Sequence, residues 1–386
     1  MAAACRATRL VRVQRRASAL LLACLASLAA PVRGVEGSAV HYFEIEVLAR
    51  GLEHPWGLAF LPDGRMLVTE RAGRLRVAGA DGTLSAPLAG VPAASAVGQG
   101  GLLDVALHPD FAANQLVYLS LAAGAADSYG TEVWRGRFAG DRLDDVARVF
   151  RALPKEDGGR HFGSRLLFLP DRTLLVTLGD RGVRPHGQAL GTHPGSIVRI
   201  TDTGEVPADN PFRDAAGAQP ATWTYGHRNV QGIARDPASG TVWAHEHGPQ
   251  GGCELNRIEA GANYGWAEIT HGRNYVIGTR IGAGETRADV TPPVVQWTPS
   301  IAPSGLAVYR GDAFPRWHGN LFAGSLKFAL LVRLVLDDAG RVVHEERLLE
   351  DRLGRIRDVR VGPDGYLYLL TDSADGIIAR LVPPDS

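Results

Sequence analysis

Residues 57–71 read GLAFLPDGRMLVTER. An apolar run meets Pro62-Asp63-Gly64, and a second apolar run follows at 66–68. Proline presets the backbone for a turn, aspartate bonds the main chain two residues on, and glycine takes a left-handed conformation at no steric cost. The stretch is therefore a β-hairpin. The same plan recurs at 103–122 (LDVALHPDFAANQLVYLSLA), 164–181 (SRLLFLPDRTLLVTLGDR), 232–248 (GIARDPASGTVWAHEHG), 302–327 (APSGLAVYRGDAFPRWHGNLFAGSLK) and 358–373 (DVRVGPDGYLYLLTDS). No long stretch carries a helical period. A lone hairpin cannot bury both faces, so six of them, roughly 45–70 residues apart, imply sheets stacked radially around one axis. The expectation is an all-β, six-bladed β-propeller of four-stranded antiparallel sheets, one catalytic domain over residues 40–383. The uneven spacing places insertions on one face, the largest at 207–220 and 272–293. A pair of two-sheet sandwiches would not account for six similar hairpins.

The totals agree with this frame. The 47 glycines and 23 prolines among 386 residues are dispersed, which suits many turns rather than disorder. Basic and acidic side chains number 41 each, so no global field draws the chain to nucleic acid or membrane, and any basic cluster is local. Residues 1–34 read as an export signal. Arg6, Arg9, Arg12, Arg15 and Arg16 precede an apolar run at 17–30, with small residues at Ser27 and Ala29 for cleavage. That run is too short for a comfortable span, so a periplasmic or secreted protein without a stable membrane span is expected. Cys5 and Cys24 fall within the signal, leaving only Cys253 and no internal disulfide.

The chemistry concentrates in residues 222–266, TWTYGHRNVQGIARDPASGTVWAHEHGPQGGCELNRIEAGANYGW. Such a density of His, Arg, Asn, Glu, Gly and Trp in a non-helical segment points to a site on loops. Elsewhere, His161 precedes one hairpin and Asp180 follows its second strand, so both fall at the same hairpin end. A carboxylate there would fix the imidazole tautomer, for a general base or for a structural hydrogen bond. Gln99 sits between glycines at 98–101, where backbone can approach a ligand. Arg228 with Asn229, Lys327, and Arg355 with Arg357 lie at equivalent hairpin ends. A propeller would gather these four cations at one mouth, where they need an anion, and guanidinium forks suit carboxylates. The turn at 247–252 offers the carbonyls of Gly248 and Pro249, and Glu254 with the Tyr264 carbonyl offers further oxygens, as calcium prefers.

The ordered motifs GQGGLL, GGRHFGSRL, LGDRG, TYGHRNVQG, HEHGPQGG, ELN, GANYGW, APSG, GSLK and RIRDV resemble those of the soluble PQQ-dependent aldose sugar dehydrogenases of the glucose/sorbosone dehydrogenase family. The resemblance runs from about residue 49 to 381. It implies PQQ and Ca2+ as cofactors and an aldose oxidised at its anomeric carbon to a lactone. By that resemblance His161 is the general base, Asp180 orients it, and Gln99 positions quinone and sugar while hydride passes to PQQ C5. Arg228, Asn229, Lys327, Arg355 and Arg357 would hold the quinone oxygens and three carboxylates. Gly248 and Pro249 would bind the calcium that also coordinates PQQ, and Glu254 and Tyr264 a separate structural calcium. Trp297 would match an aromatic of the cofactor pocket. The chain departs from the family at Cys253 and Arg160, both positions where Asp is frequent. The electrons would leave to a soluble acceptor that the sequence does not identify. Two other readings use the same fold: a lactonase-type hydrolase centred on a metal held by Glu, Asn and Asp, and a non-catalytic binding propeller.

Overall fold

The structure, a computed structural model, describes residues 35–384; the export-signal segment lies outside the described residues. Six antiparallel sheets radiate from a ring of inner strands: Pro55–Phe60, Leu102–Leu107, Leu166–Phe168, Val230–Arg235, Pro303–Val308 and Ile356–Val361. Each inner strand packs beside the next, and Ile356–Val361 returns to Pro55–Phe60, so the ring closes. We number the blades one to six in that order. Blades two to five have four strands each. Blade one has three, with Leu84 bridging Ala78 at its outer edge. Blade six has five, because Tyr42–Leu52, from the start of the chain, pairs with Gly376–Val382 from its end, and the short Glu36–Gly37 adds to it.

The turns form as their residues dictate. At Pro62-Asp63-Gly64 the Asp63 carboxylate accepts the Arg65 N–H, and Gly64 has φ 86°. Asp364 and Gly365 repeat the arrangement, while Arg172 takes the left-handed position (φ 67°) behind Asp171. The second strands, such as Met66–Glu70 and Leu321–Ser325, are buried along their whole length because each is sandwiched between neighbouring blades. One apolar cluster fills each interface. Leu67, Leu102 and Phe138 lie between blades one and two, and Tyr309, Trp317 and Phe322 pack against Ile356 and Phe43 between five and six. The loops at 207–220 and 272–293 fall outside the strands, as their composition suggests.

Polar staples cross the same interfaces nearer the axis. Thr69, Ser120 and Thr177 hydroxyls donate to the carbonyls of Leu103, Ser164 and Val230, in or just before the inner strand of the next blade. Between blades four and five the His245 ring takes this place on Gly305 O, 3.3 Å away. At Gly324 there is no side chain, and Ser304 donates to Ile356 O instead. The axis itself is plugged by an ionic quartet in which Arg165, Asp104 and Asp358 are buried and Arg360 is half-buried. Arg165 meets Asp358 at 2.8 Å and Asp104 at 3.3 Å, and Arg360 meets Asp104 at 2.8 Å and Asp358 at 2.9 Å. Buried charges persist only when paired in this way. Arg165 also stacks 4.1 Å over Trp56, whose ring lines the cavity.

Five of the six inner strands carry a register shift near their first residues, at Pro55/Leu58, Leu102/Val105, Val230/Gly232, Pro303/Leu306 and Ile356/Asp358. A bulge bends a strand and re-aims its side chains, and these bulges lie at the end of the axis where the cavity opens. Among the described residues, no helix is long and apolar enough to cross a membrane.

Candidate active site

Above the ionic plug lies a cavity of about 850 Å³. Gln99, His161, Arg228, Asn229, Gly248, Pro249, Lys327, Arg355 and Arg357 all line it, brought together from blades two to six. Asp180 stands directly behind His161. Its Oδ1 is 2.6 Å from His161 Nδ1 and also accepts the Gly182 N–H, and its Oδ2 accepts the Trp266 indole N–H at 2.7 Å. Indole and carboxylate thus fix the imidazole, which lines the cavity with no hydrogen bond from Nε2 to a described residue. Burial holds the His161 pKa below its ordinary value; Asp180 opposes this shift, and Arg228 and Arg160 add to it. The ring is therefore neutral and able to accept a proton near pH 7.

The His161 backbone is left-handed, φ 56°, which an L-residue keeps only when its surroundings hold it. Gln99 Oε1 accepts the His161 N–H at 2.8 Å, so Gln99 acts on the histidine backbone as well as lining the cavity. Asn229 Oδ1 accepts the Gly163 N–H at 3.1 Å. Arg181, buried under the same loop, donates to the carbonyls of Gly158 and Arg160 and stacks 3.5 Å over Phe162. Burial lowers its pKa to about 10. Gly179 is required here, because a Cβ would come within 2.1 Å of the His161 carbonyl.

Cations dominate the lining. Arg71, Arg228, Lys327, Arg355 and Arg357 face the cavity, and Asp372 is the single carboxylate among the described lining residues. Arg355 (2.8 Å) and Arg357 (3.0 Å) share Asp372 Oδ2, while His54 Nδ1 holds Oδ1 at 2.9 Å. Asp372 consequently stays ionised well below the usual carboxylate range, opposing its own burial, and burial lowers Arg357 to about 10. Arg228 donates to His247 O and lies 5.3 Å from the Trp266 ring. His247, bonded to Pro303 O, is lowered to about 3 by burial and stays neutral.

Glu254 and Tyr264 lie apart from this cavity, around a smaller void of about 140 Å³ with Thr270 and Glu285. Burial and the nearby Glu246 raise the Glu254 pKa well above the carboxylate range. Asn256 Nδ2 donates to its Oε2 at 3.4 Å. Cys253 is a buried free thiol whose Sγ is 2.8 Å from Ser300 Oγ. Trp297 does not line the cavity. It is the last residue of the outer strand Val295–Trp297, buried at the blade four–five interface with its indole on Glu345, because outer strands point away from the axis.

Trp56, Arg71, Trp266 as the partner of Asp180, and Asp372 are site residues the sequence reading missed. Asp372 carried a signal, since it closes the last hairpin opposite Arg355 and Arg357, and the hairpin-end argument that joined His161 to Asp180 applies to it equally.

The glucose / sorbosone dehydrogenase family profile matches residues 52–380, nearly all of the propeller. The chain belongs to that family. It is 46% identical over 345 residues to aldose sugar dehydrogenase YliI of Escherichia coli (strain K12), covering 88% of this chain and 92% of that protein. The crystal structure of the soluble aldose sugar dehydrogenase from Escherichia coli in its apo form superposes with a TM-score of 0.85, at 46% identity, over 88% of this chain and 99% of that one. The PQQ-bound aldose sugar dehydrogenase of Streptomyces coelicolor aligns with a TM-score of 0.72 and 30% identity, over 88% and 98% of the two chains.

Proposed function

We propose that this chain is a periplasmic quinoprotein that oxidises the anomeric carbon of aldoses to lactones, using PQQ and calcium. The observation that carries the reading is the His161–Asp180 pair set in the wall of a cavity with five cations and one carboxylate. Such a lining suits a polyanion, and the volume is in the range of cofactor sites, about 300–1,000 Å³. A planar tricarboxylate fits the chemistry of Arg228, Lys327, Arg355 and Arg357, with Asn229 for a quinone oxygen. Asp372 pins Arg355 and Arg357 in place before any ligand arrives. The Gly248 and Pro249 carbonyls are the donors for a calcium beside it. Glu254, strained as a buried carboxylate near Glu246, is suited to a second cation together with the Tyr264 carbonyl. Bound PQQ supplies the hydride-accepting quinone, and calcium polarises its C5 carbonyl.

The chain's own part is proton management and positioning. His161 Nε2 takes the proton from the anomeric hydroxyl as the C1 hydride departs. Asp180 keeps Nδ1 protonated and steadies the imidazolium that forms. Gln99 and Arg181 hold the loop so that the ring keeps its aim. The lactonase-type reading requires Glu, Asn and Asp side chains free to seat a metal in the channel, whereas Asp372 is taken up by Arg355, Arg357 and His54. The relatives' names and the export-like segment at 1–34 support the dehydrogenase reading and the periplasmic location.

The test is reconstitution. Purified apo-protein titrated with PQQ and calcium should show a saturable absorbance change and should then reduce a dye with aldoses. Neither change nor turnover with any aldose or alcohol would leave a binding propeller.

A further inference from the structure

Two guanidiniums near His161, Arg71 in the cavity lining and Arg160 outside it, have no partner among the described residues. Arg71 directly follows the second strand of blade one, Met66–Glu70. Its N–H donates to His54 O at 3.1 Å and its carbonyl accepts the Leu102 N–H at 3.2 Å, which fixes its main chain. Its side chain lines the cavity without a carboxylate or hydrogen-bond partner. Arg160 directly precedes His161 and is exposed. Its Nε lies 2.9 Å from where a Cβ on Gly182 would stand, and the Gly182 N–H holds Asp180. The Arg160 guanidinium therefore stands unpaired beside the His161–Asp180 pair.

The division by blade separates these two from the remaining cations. Arg228, Lys327, Arg355 and Arg357, ascribed above to the cofactor, come from blades four to six. Arg71 and Arg160 come from blades one and three and bracket Gln99 of blade two. Asp372 cancels one of the five lining cations, and a tricarboxylate would cancel three more. One lining cation remains, Arg160 lies outside the count, and a calcium would add to the surplus. Unpaired guanidiniums crowded together repel, and a planar carboxylate or a phosphate is the group that relieves them.

We propose that the substrates of this site are aldoses bearing an anionic group, a uronate carboxylate or a phosphate ester, gripped by Arg71 and Arg160 while the anomeric hydroxyl faces His161. The proposal rests on the dehydrogenase reading and names its substrate class. The reaction is unchanged: C1–H leaves as hydride to the quinone, the hydroxyl proton goes to His161, and the lactone carbonyl forms.

The PQQ- and calcium-loaded protein is assayed with D-glucuronate and D-galacturonate, with glucose 6-phosphate, and with D-glucose and D-galactose. Methyl β-D-glucuronide and methyl β-D-glucoside, blocked at the anomeric oxygen, are titrated calorimetrically so that binding is read without turnover. One charge-assisted pair should give the anionic sugar an advantage of about tenfold or more in kcat/KM, and the glucuronide a similar advantage in affinity. The anionic-to-neutral ratio should fall in Arg71→Gln and Arg160→Gln, persist in Arg160→Lys, and shrink with salt. The uronate and phosphate arms identify which anion is preferred. A ratio at or below one overturns the proposal while leaving aldose oxidation intact. A ratio unchanged in both Gln variants, with PQQ affinity weakened instead, makes these arginines cofactor ligands and also overturns it. Glucuronide binding without turnover of any aldose would sink the dehydrogenase reading and leave the anion site standing.

Discussion

His161 is held by four contacts that differ in what they control. Asp180 fixes the tautomer, Trp266 fixes Asp180, Gln99 fixes the left-handed backbone, and Arg181 fixes the loop. His161→Gln should lower kcat by about a hundredfold or more, the usual worth of a positioned base. Asp180→Asn gives the sharper test. In the native protein burial outweighs Asp180 and keeps the His161 pKa below its ordinary 6.5, so kcat/KM should lose activity only as pH falls beneath that value. Asp180 is the group that raises this pKa, so removing its charge should move the acid limb to still lower pH while lowering the plateau. A stopped-flow pH profile reads both. A merely structural Asp180 would lower the plateau and leave the limb where it was.

At the scale of elements, the hydroxyl staples explain how strands of different blades keep one radius around the axis. Thr69 accepts the Gly57 N–H at 2.9 Å and donates to Leu103 O, so it joins blade one to blade two within the buried core. Thr69→Val keeps the volume and strands both partners. The expected loss is about 1–3 kcal/mol, the cost of buried polar groups left unmet. It is read as a lower urea midpoint at unchanged slope, and an unchanged midpoint would mean that apolar packing alone sets the interface. The elements were also the most legible level. Pro-Asp-Gly-like turns and paired apolar runs mark all six hairpins in the sequence. Short outer strands such as Val295–Trp297 were not legible, because an outer strand is defined by the partner it pairs with more than by its own pattern. Trp297 was misplaced for that reason.

For the whole molecule, the ring is completed by Tyr42–Leu52 lying against Gly376–Val382, with Phe43 sunk into the blade five–six core. Two ends of the chain therefore meet in one sheet, and every blade interface depends on the others. A chain beginning after Leu52 should lose its cooperative thermal transition, or melt well below the intact protein. Retention of the native melting temperature by that truncated chain, measured by calorimetry, would show that the ring does not need its closing strand.

The sequence by itself determined the number of blades, the turns, the His161–Asp180 meeting and nine of the cavity residues, because these follow from local chemistry and from the rule that a hairpin returns to its starting end. Which cations stay unpaired was decided only by the tertiary structure. Arg165 and Arg360 are spent on the axial plug, and Arg355 and Arg357 lean on Asp372, whereas Arg71 in the cavity lining and exposed Arg160 just before His161 have no partner among the described residues. All are arginines in or beside the blade hairpins and look alike in a linear reading. Arg355 and Arg357 find Asp372 within their own blade, whereas Arg165 and Arg360 meet Asp104 of blade two from 61 and 256 residues away, a distance that only the closed ring removes.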